Sequence, residues 1–252
     1  MSSSPLYETN IGALDVGSAI SREVAWDGAS LGQSAGLSRA LLYAVSHDLR
    51  TPLTAIRTIA AALRSADLDV AQREALLADV DQEAERLARL LARLLEAARV
   101  EADAVHPALV RVPVEELCHA ALCDARQALG RRLVELELEP DLPAVEVDET
   151  LIRQALVNLL ENAARHDPGP LRVHAARAGR YLEIRVIDHG PGVPAAEQRR
   201  IFEAFHGLRE DRRGAGLGLW IARGFLEAHR GDLHVETTNG GGATFVISLP
   251  IR

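Results

Sequence analysis

The chain has 252 residues, 48 % of them hydrophobic, which is enough for one or two domains with a packed core. Its formal net charge of −8 argues against a nucleic-acid partner, because no concentrated basic face offsets that charge. All 28 basic residues are Arg, so the chain lacks the Lys that a Walker A loop, an ordinary protein kinase and a Schiff-base enzyme require.

The first hundred residues predict a linker followed by a helical hairpin. Residues 1–35 are rich in Ser, Gly and Ala, which is typical of a linker or the remnant of an upstream module. Apolar residues then recur at three- and four-residue steps over 37–63 and again over 76–98, with a predicted turn at 67–69. Because two helices alone bury little apolar surface, the hairpin over 36–103 is predicted to pair with a second copy in a homodimeric four-helix bundle.

The remaining residues, 107–252, predict a mixed region that begins between Pro107 and Pro113. Helical patterns fall near 114–128, 148–165 and 217–229, and strand patterns near 133–138, 145–147, 171–176, 181–187, 232–237 and 243–249. Hairpin turns are predicted at 178–180 and 239–242. The predicted fold class is therefore α+β: a helical hairpin followed by an α/β sandwich with helices on one face of a sheet.

The sequence gives little support for a cysteine-based metal centre or a membrane span. Cys118 and Cys123 are five apart, which is not a helical neighbour spacing, so reduced, buried thiols are favoured over a metal site that includes His119. No apolar run approaches the ~20 residues that cross a bilayer, and no signal peptide is visible. A cytoplasmic location is expected; a membrane would be involved only if a sensor segment lies upstream, with this chain as its cytoplasmic portion.

One histidine lies directly before a carboxylate inside the first helical pattern. The run over 46–55, SHDLRTPLTA, contains His47 and Asp48, and such a neighbour can tune an imidazole that acts as a nucleophile. A lone His on a helix is usually structural. Only a site that supplies a reactive group would give His47 a chemical role.

Four downstream segments resemble parts of one nucleotide pocket. The first is a helical stripe whose amides can ligate Mg²⁺ and whose Arg can hold phosphates, unless it is simply a solvated helix face; it contains Asn158, Asn162, Arg165 and His166. The second follows a predicted strand. There Asp188 can accept from the adenine amine while Gly190 and Gly192 admit a flat base, unless they only form a turn.

The other two segments lie close together. Residues 201–205 read IFEAF, and residues 214–219 read GAGLGL and open a helix whose backbone amides can meet phosphate. The dinucleotide pattern GxGxxG is not matched. Arg209, Arg212 and Arg213 lie just before these glycines and are predicted to form part of a mobile lid.

Each segment alone is weak evidence, but their order and spacing resemble the catalytic core of two-component sensor histidine kinases. Their ATP-binding domain belongs to the superfamily of gyrase, Hsp90 and MutL. Residues 158–163 resemble its N-box, 188–192 its G1 box, 201–205 its F-box, 214–219 its G2 box, and 46–53 the H-box of the dimerisation helix. The resemblance covers residues 37–250, and the H-box and G2 box are similar to those of potassium-responsive KdpD-type kinases.

The resemblance implies ATP-dependent phosphorylation of a ring nitrogen of His47, with Asp48 orienting or deprotonating the imidazole. It implies that Asn162 is the main Mg²⁺ ligand, that Asn158 assists, that Arg165 faces the phosphates and that Asp188 reads adenine. The other nucleotide-binding residues it implies are His166, Gly190, Gly192, Phe205, Gly214, Gly216, Leu217 and Gly218.

The resemblance also implies a partner. The phosphoryl group would pass to an aspartate in the receiver domain of a response regulator that docks against the hairpin. Thr51 matches the position where a phosphatase hydroxyl orients water, although simple helix packing before Pro52 is an alternative.

The chain departs from the family pattern at Asp167, where Thr or Ser is more common, at His189, where Asn is common, and at His166, which replaces Tyr or Phe. The segment from Phe205 to Gly214 is also short for a lid. These departures bear on nucleotide affinity more than on activity. Two rival functions remain: another ATPase of the superfamily, which acid-labile phosphate would exclude, and a non-catalytic dimeric scaffold for a response regulator, which failure to bind ATP would support.

Overall fold

The computed structural model describes residues 49–64, 68–206 and 216–251. Its first two elements are helices, α1 over 49–62 and α2 over Val70–Glu101. A capping box begins α2: the backbone N–H of Gln72 donates to Asp69 Oδ1 at 2.7 Å, and the N–H of Asp69 donates to Gln72 Oε1 at 3.1 Å. The helical hairpin is confirmed. The predicted linker over 1–35 and Asp67 of the predicted turn lie outside the described residues.

An apolar stripe of α2 faces solvent in the single chain. Leu77, Leu91 and Leu95 are 50 %, 47 % and 65 % exposed, and Ala84 lies midway between the first two. The seven-residue spacing of 77, 84 and 91 is that of a helix seam that packs against a partner helix.

The remaining elements form the α/β part. Its helices are α3 (Val114–Asp124), α4 (Arg126–Leu129), α5 (Glu149–His166) and α6 (Gly218–Ala228). Its strands are β1 (Val110–Val112), β2 (Val134–Leu138), β3 (Val145–Val147), β4 (Leu171–Ala178), β5 (Tyr181–Ile187), β6 (Asp232–Thr237) and β7 (Ala243–Pro250). The five-stranded sheet has the order β2-β4-β5-β7-β6, with only the β2–β4 pair parallel, and β1 pairs antiparallel with β3 in a separate ribbon.

The core lies between one face of the sheet and the helices α3, α5 and α6. Alternate residues of β5, such as Ile184 and Val186, are buried against this layer, as are Leu156 of α5 and Phe225 of α6. The opposite face of the sheet is polar and carries Arg185, which binds Glu183 and Glu236 at 2.8 Å. The predicted sandwich with helices on one face is therefore confirmed.

Two details differ from the sequence prediction. The helix predicted over 114–128 is divided at Ala125 into α3 and α4, because the buried stripe of Leu117, Ala121, Ala125 and Leu129 continues across the break and hides it from periodicity. Strand β1 was not predicted, since three residues between two prolines are too few to show an alternating pattern.

A buried histidine joins the start of α5 to the end of α6. The backbone N–H of Asp148, the N-cap of α5, donates to Nε2 of His229 at 2.9 Å, and Nδ1 of His229 donates to the carbonyl of Phe225 at 2.6 Å. The imidazole is therefore neutral, and burial lowers the pKa of His229 below its ordinary value. The two helices that carry much of the site below are thus held in one arrangement.

The thiols were only partly predicted. Cys118 is buried, and burial raises its pKa to about 12, whereas Cys123 is exposed. The prediction of a buried Cys123 was wrong because five residues turn an α-helix by about 140° beyond one full turn. Within 49–64, 68–206 and 216–251, no cluster of three His, Cys, Asp or Glu could hold a metal, and no helix has the length and apolarity of a membrane span.

Candidate nucleotide-binding site

All four predicted pocket segments meet around one cavity, the segment over 201–205 through Ile201. Helix α5, the loop after β5, Ile201, the start of α6 and the start of β7 form its wall, and α2 contributes one side chain. The predicted residues in this wall are Asn158, Asn162, Arg165, His166, Asp188, Gly192, Gly216, Leu217 and Gly218. Two predicted residues, Gly190 and Phe205, are not part of the wall and lie directly behind it.

The carboxylate of Asp188 is fixed by backbone groups where β5 ends. Its side chain is 3 % exposed, and its Oδ1 accepts from the N–H groups of Gly190 and Ala243, both at 3.0 Å. The N–H of Asp188 in turn donates to the carbonyl of Ala243 at 2.9 Å. Because Oδ1 is occupied twice, Oδ2 is the oxygen that can receive the amine of a ligand.

Glycines allow the backbone to come close to Asp188. A Cβ on Gly190 would lie 2.9 Å from the carbonyl oxygen of His166. Gly242, with φ +107°, approaches so closely that a Cβ would lie 2.0 Å from the carbonyl oxygen of Asp188. Gly242 was predicted only as part of a hairpin turn. Its role beside the site shows only when β7 is placed next to β5.

Asp167 connects the end of α5 to the loop after β5. Its side chain is 4 % exposed and accepts from the N–H of Gly169 at 2.7 Å and of His189 at 2.8 Å. Burial alone would raise the pKa of Asp167, but these two N–H groups, assisted by electrostatic interactions with His189 and Arg132, hold it below its ordinary value. Asp167, where the chain departs from the family pattern, therefore stabilises the loop that contains Asp188.

A buried amide nitrogen at the cavity has no hydrogen-bond partner within the part of the chain that the structure describes. Asn158 is 6 % exposed, and among the described residues its Nδ2 has no hydrogen-bond partner. A buried amide without a partner is costly, which is expected where a ligand completes the site. Since amide oxygen and nitrogen can exchange places by rotation, the same side chain can present an oxygen to a cation.

A backbone hydrogen bond connects the end of the F-box segment, Phe205, to Gly216 of the G2 segment. The N–H of Phe205 donates to the carbonyl of Gly216 at 3.1 Å, and both residues have positive φ, +63° and +64°. A Cβ on Gly216 would lie 3.0 Å from the carbonyl carbon of Phe205, so the close approach depends on glycine. Gly214 and the three predicted lid arginines, Arg209, Arg212 and Arg213, lie outside the described residues.

The hairpin reaches this cavity through the end of α2. Arg93 belongs to the wall, and its guanidinium donates to the carboxylate of Glu161 on α5. One turn later Gln154 donates to Glu96 at 2.7 Å, and Val100 packs so closely on α6 that a Cβ on Gly224 would lie 2.3 Å from it. Neither Arg93 nor Glu161 was predicted, because no local pattern indicates which hairpin residue meets α5.

Only residues 49–53 of the predicted H-box belong to the described part of the chain. His47 and Asp48 lie outside the described residues. Thr51 is exposed on α1, and the next residue, Pro52, is buried. The structure does not bring Thr51 to the cavity wall.

The chain matches two families of known domains. Residues 37–103 match the family described as His Kinase A (phospho-acceptor) domain, and residues 147–252 match histidine kinase-, DNA gyrase B-, and HSP90-like ATPase. The chain is 36 % identical over 222 residues to sensor protein KdpD of Mycobacterium tuberculosis strain H37Rv, an alignment that covers 84 % of this chain and 26 % of the relative. It is 34 % identical to adaptive-response sensory kinase SasA of Synechococcus sp. strain JA-2-3B'a(2-13), covering 81 % and 57 %.

A solved structure is also similar. Full-length ShkA in complex with AMPPNP superimposes with a TM-score of 0.62 at 30 % identity, over 83 % of this chain and 45 % of that one. The chain therefore spans between about a quarter and just over half of the length of these three proteins.

Proposed function

The chain belongs to the sensor histidine kinase family, and on that premise we propose that it binds ATP and transfers the γ-phosphoryl group to His47. We assign residues 36–103 to dimerisation and phosphotransfer, residues 107–252 to ATP binding, and residues 1–35 to a linker. The cavity that unites Asn158 and Asn162, Asp188 and the glycines at the start of α6, Gly216 and Gly218, is the observation that carries the proposal.

The cavity residues suit the adenine base and the phosphates of ATP. The fixed carboxylate of Asp188 accepts a hydrogen bond from the exocyclic amine of adenine, and Gly192 leaves room for the base. The backbone N–H groups at the start of α6, near Gly216 and Gly218, meet the phosphates, because the first N–H groups of a helix have no intrahelical partner. Arg165, an exposed residue of the same wall, adds positive charge.

The amides of α5 fit Mg²⁺. Asn162 would be its main ligand and Asn158 would assist, since amide oxygens are among the ligands that Mg²⁺ prefers and Nδ2 of Asn158 has no hydrogen-bond partner among the described residues. When bound, Mg²⁺ supplies positive charge that offsets the phosphates during transfer.

The proposed transfer uses His47 as the nucleophile. A ring nitrogen with a free lone pair attacks the γ-phosphorus, the bond from that phosphorus to the β–γ bridging oxygen breaks, and ADP leaves. Asp48 orients the ring and takes the proton from the other ring nitrogen, so that the ring of the phosphoramidate is uncharged while the phosphoryl group keeps its negative charge. Transfer of this kind depends mainly on positioning and charge stabilisation, which a preformed pocket provides.

We further propose a homodimer and a response regulator as partners. The exposed stripe of Leu77, Leu91 and Leu95 is apolar and has heptad spacing, which favours burial against the same stripe of a second hairpin. The phosphoryl group on His47 then passes to an aspartate in the receiver domain of a response regulator, as in the two-component systems that the family serves.

Incubation with γ-labelled ATP and Mg²⁺ tests the kinase proposal. Wild type should acquire acid-labile label, as a phosphoramidate does, whereas His47→Gln lacks the nucleophile and Asn162→Ala lacks the main amide ligand. Label that resists acid would contradict phosphohistidine. Absence of both label and ATP binding would favour the non-catalytic scaffold instead.

Dephosphorylation of the regulator is a second proposed activity. Thr51 is exposed on α1 in the single chain, which leaves its hydroxyl open to a docked receiver domain. Thr51→Ala should keep autophosphorylation, while a receiver domain phosphorylated by the wild-type chain should lose its phosphate more slowly with this variant than with wild type. Equal rates of loss would contradict the activity.

A further inference from the structure

Arg93 places a positive charge from the hairpin in the wall of the nucleotide cavity. Its side chain is 26 % exposed and binds Glu161, which is 25 % exposed and belongs to the same wall. The two residues come from different elements, α2 and α5, and are 68 positions apart. The ion pair is therefore both a cross-link between the hairpin and the α/β part and a component of the cavity.

The charges of the cavity favour another partner for Arg93 when a polyphosphate is present. The chain has no Lys, and among the described residues of the wall only Arg93 and Arg165 carry a guanidinium. Phosphate oxygens bind a guanidinium in the same two-pronged geometry as a carboxylate and carry more charge. The carboxylate of Glu161, by contrast, repels phosphates and competes with them for Arg93.

We propose that Arg93 is a nucleotide-sensing residue that binds Glu161 in the empty cavity and turns to the phosphates of ATP when the cavity is filled. Nucleotide occupancy then removes one link between α2 and α5, while the Glu96–Gln154 hydrogen bond and the Val100–Gly224 contact hold the rest of that interface. This inference rests on the proposed binding of ATP and adds to it a residue from outside the ATP-binding domain.

The alternative is that the Arg93–Glu161 pair only tethers α2 to α5. The two hypotheses predict different directions of change in ATP affinity. If Arg93 and Glu161 only hold α2 on α5, removing either partner breaks the same pair and changes nucleotide affinity in the same direction. If Arg93 binds phosphate, Arg93→Gln weakens ATP binding and Glu161→Gln strengthens it, because the variant frees Arg93 and removes a repulsive carboxylate. The opposite signs are the signature of the proposal.

Calorimetric titration of the full chain with ATP and Mg²⁺, and separately with adenosine, measures this. Arg93→Gln should bind ATP about tenfold more weakly, which corresponds to the lower end of the free energy that a hydrogen bond to a charged group contributes. The same variant should bind adenosine as tightly as wild type does. Glu161→Gln should bind ATP several-fold more tightly. Arg93→Lys, which keeps the charge, should recover part of the loss.

Arg89→Gln is the matched control. Arg89 lies one turn earlier on α2, is 52 % exposed and pairs with Glu85 instead of a cavity residue, so its loss should leave ATP affinity unchanged. The inference is overturned if Arg93→Gln and Glu161→Gln both weaken ATP binding, if adenosine binding falls as much as ATP binding, or if Arg93→Gln changes nothing while wild type binds ATP. If wild type binds no ATP, the proposed function falls first and the inference with it.

Discussion

Replacing Asp167 by Ala tests whether a carboxylate behind the cavity wall maintains that wall. Asp167 accepts from the N–H groups of Gly169 and His189 at 2.7 and 2.8 Å and is 4 % exposed. A hydrogen bond to a charged group contributes about 1.5–3 kcal/mol. Since the two bonds share one carboxylate and do not add fully, the free energy of unfolding should fall by about 3 kcal/mol in Asp167→Ala.

The pH dependence of this loss follows from the lowered pKa of Asp167. The ordinary pKa of an aspartate is 3.8, and the folded value lies below it. The unfolded chain therefore binds the proton more readily, so the stabilisation by Asp167 is fully present above about pH 4 and is lost as the pH falls through the folded pKa. The difference in unfolding free energy between wild type and Asp167→Ala should be constant from about pH 5 to 8 and should shrink below about pH 4.

Urea unfolding and ATP titration together measure the effect. Asp167→Ser, which retains one acceptor, should lose about half as much stability as Asp167→Ala. ATP affinity should fall in both variants, because His189 follows Asp188 directly and its N–H is released. A loss of stability below about 1 kcal/mol in Asp167→Ala, or one that does not change at low pH, would refute the reasoning.

Three further changes test other parts of the structure. Gly242→Ala should sharply reduce ATP binding and lower the melting temperature, because a Cβ would lie 2.0 Å from the carbonyl of Asp188; an unchanged titration would contradict this. His229→Gln should flatten the pH dependence of urea unfolding near neutrality, since the lowered pKa of His229 gives stability that is present above about pH 6.5 and lost as the pH falls. Leu91→Glu should shift sedimentation from dimer to monomer, whereas the same change at the exposed Arg89 should not.

The sequence predicted most elements because burial repeats with the period of the structure. The apolar stripe of α5 and the alternation of β5 lie on the residues that the core covers, such as Leu156 and Ile184. Periodicity failed where it carries no signal: at Ala125, where the stripe continues across a break, and at β1, which has only three residues. The N-box, G1 and G2 segments were also recognised, because each keeps its short motif within one stretch of chain.

Which residues share the cavity was decided partly by the sequence and partly by the fold. The motifs around Asn158, Asp188 and Gly216 could be assigned to one pocket from the sequence, because their order and spacing resemble those of the ATP-binding domain of sensor histidine kinases. Arg93, Asp167 and the approach of Gly242 to Asp188 could not, because each depends on the distance between groups from different elements. Local sequence determines which face of an element is buried, but only tertiary packing determines what that element meets.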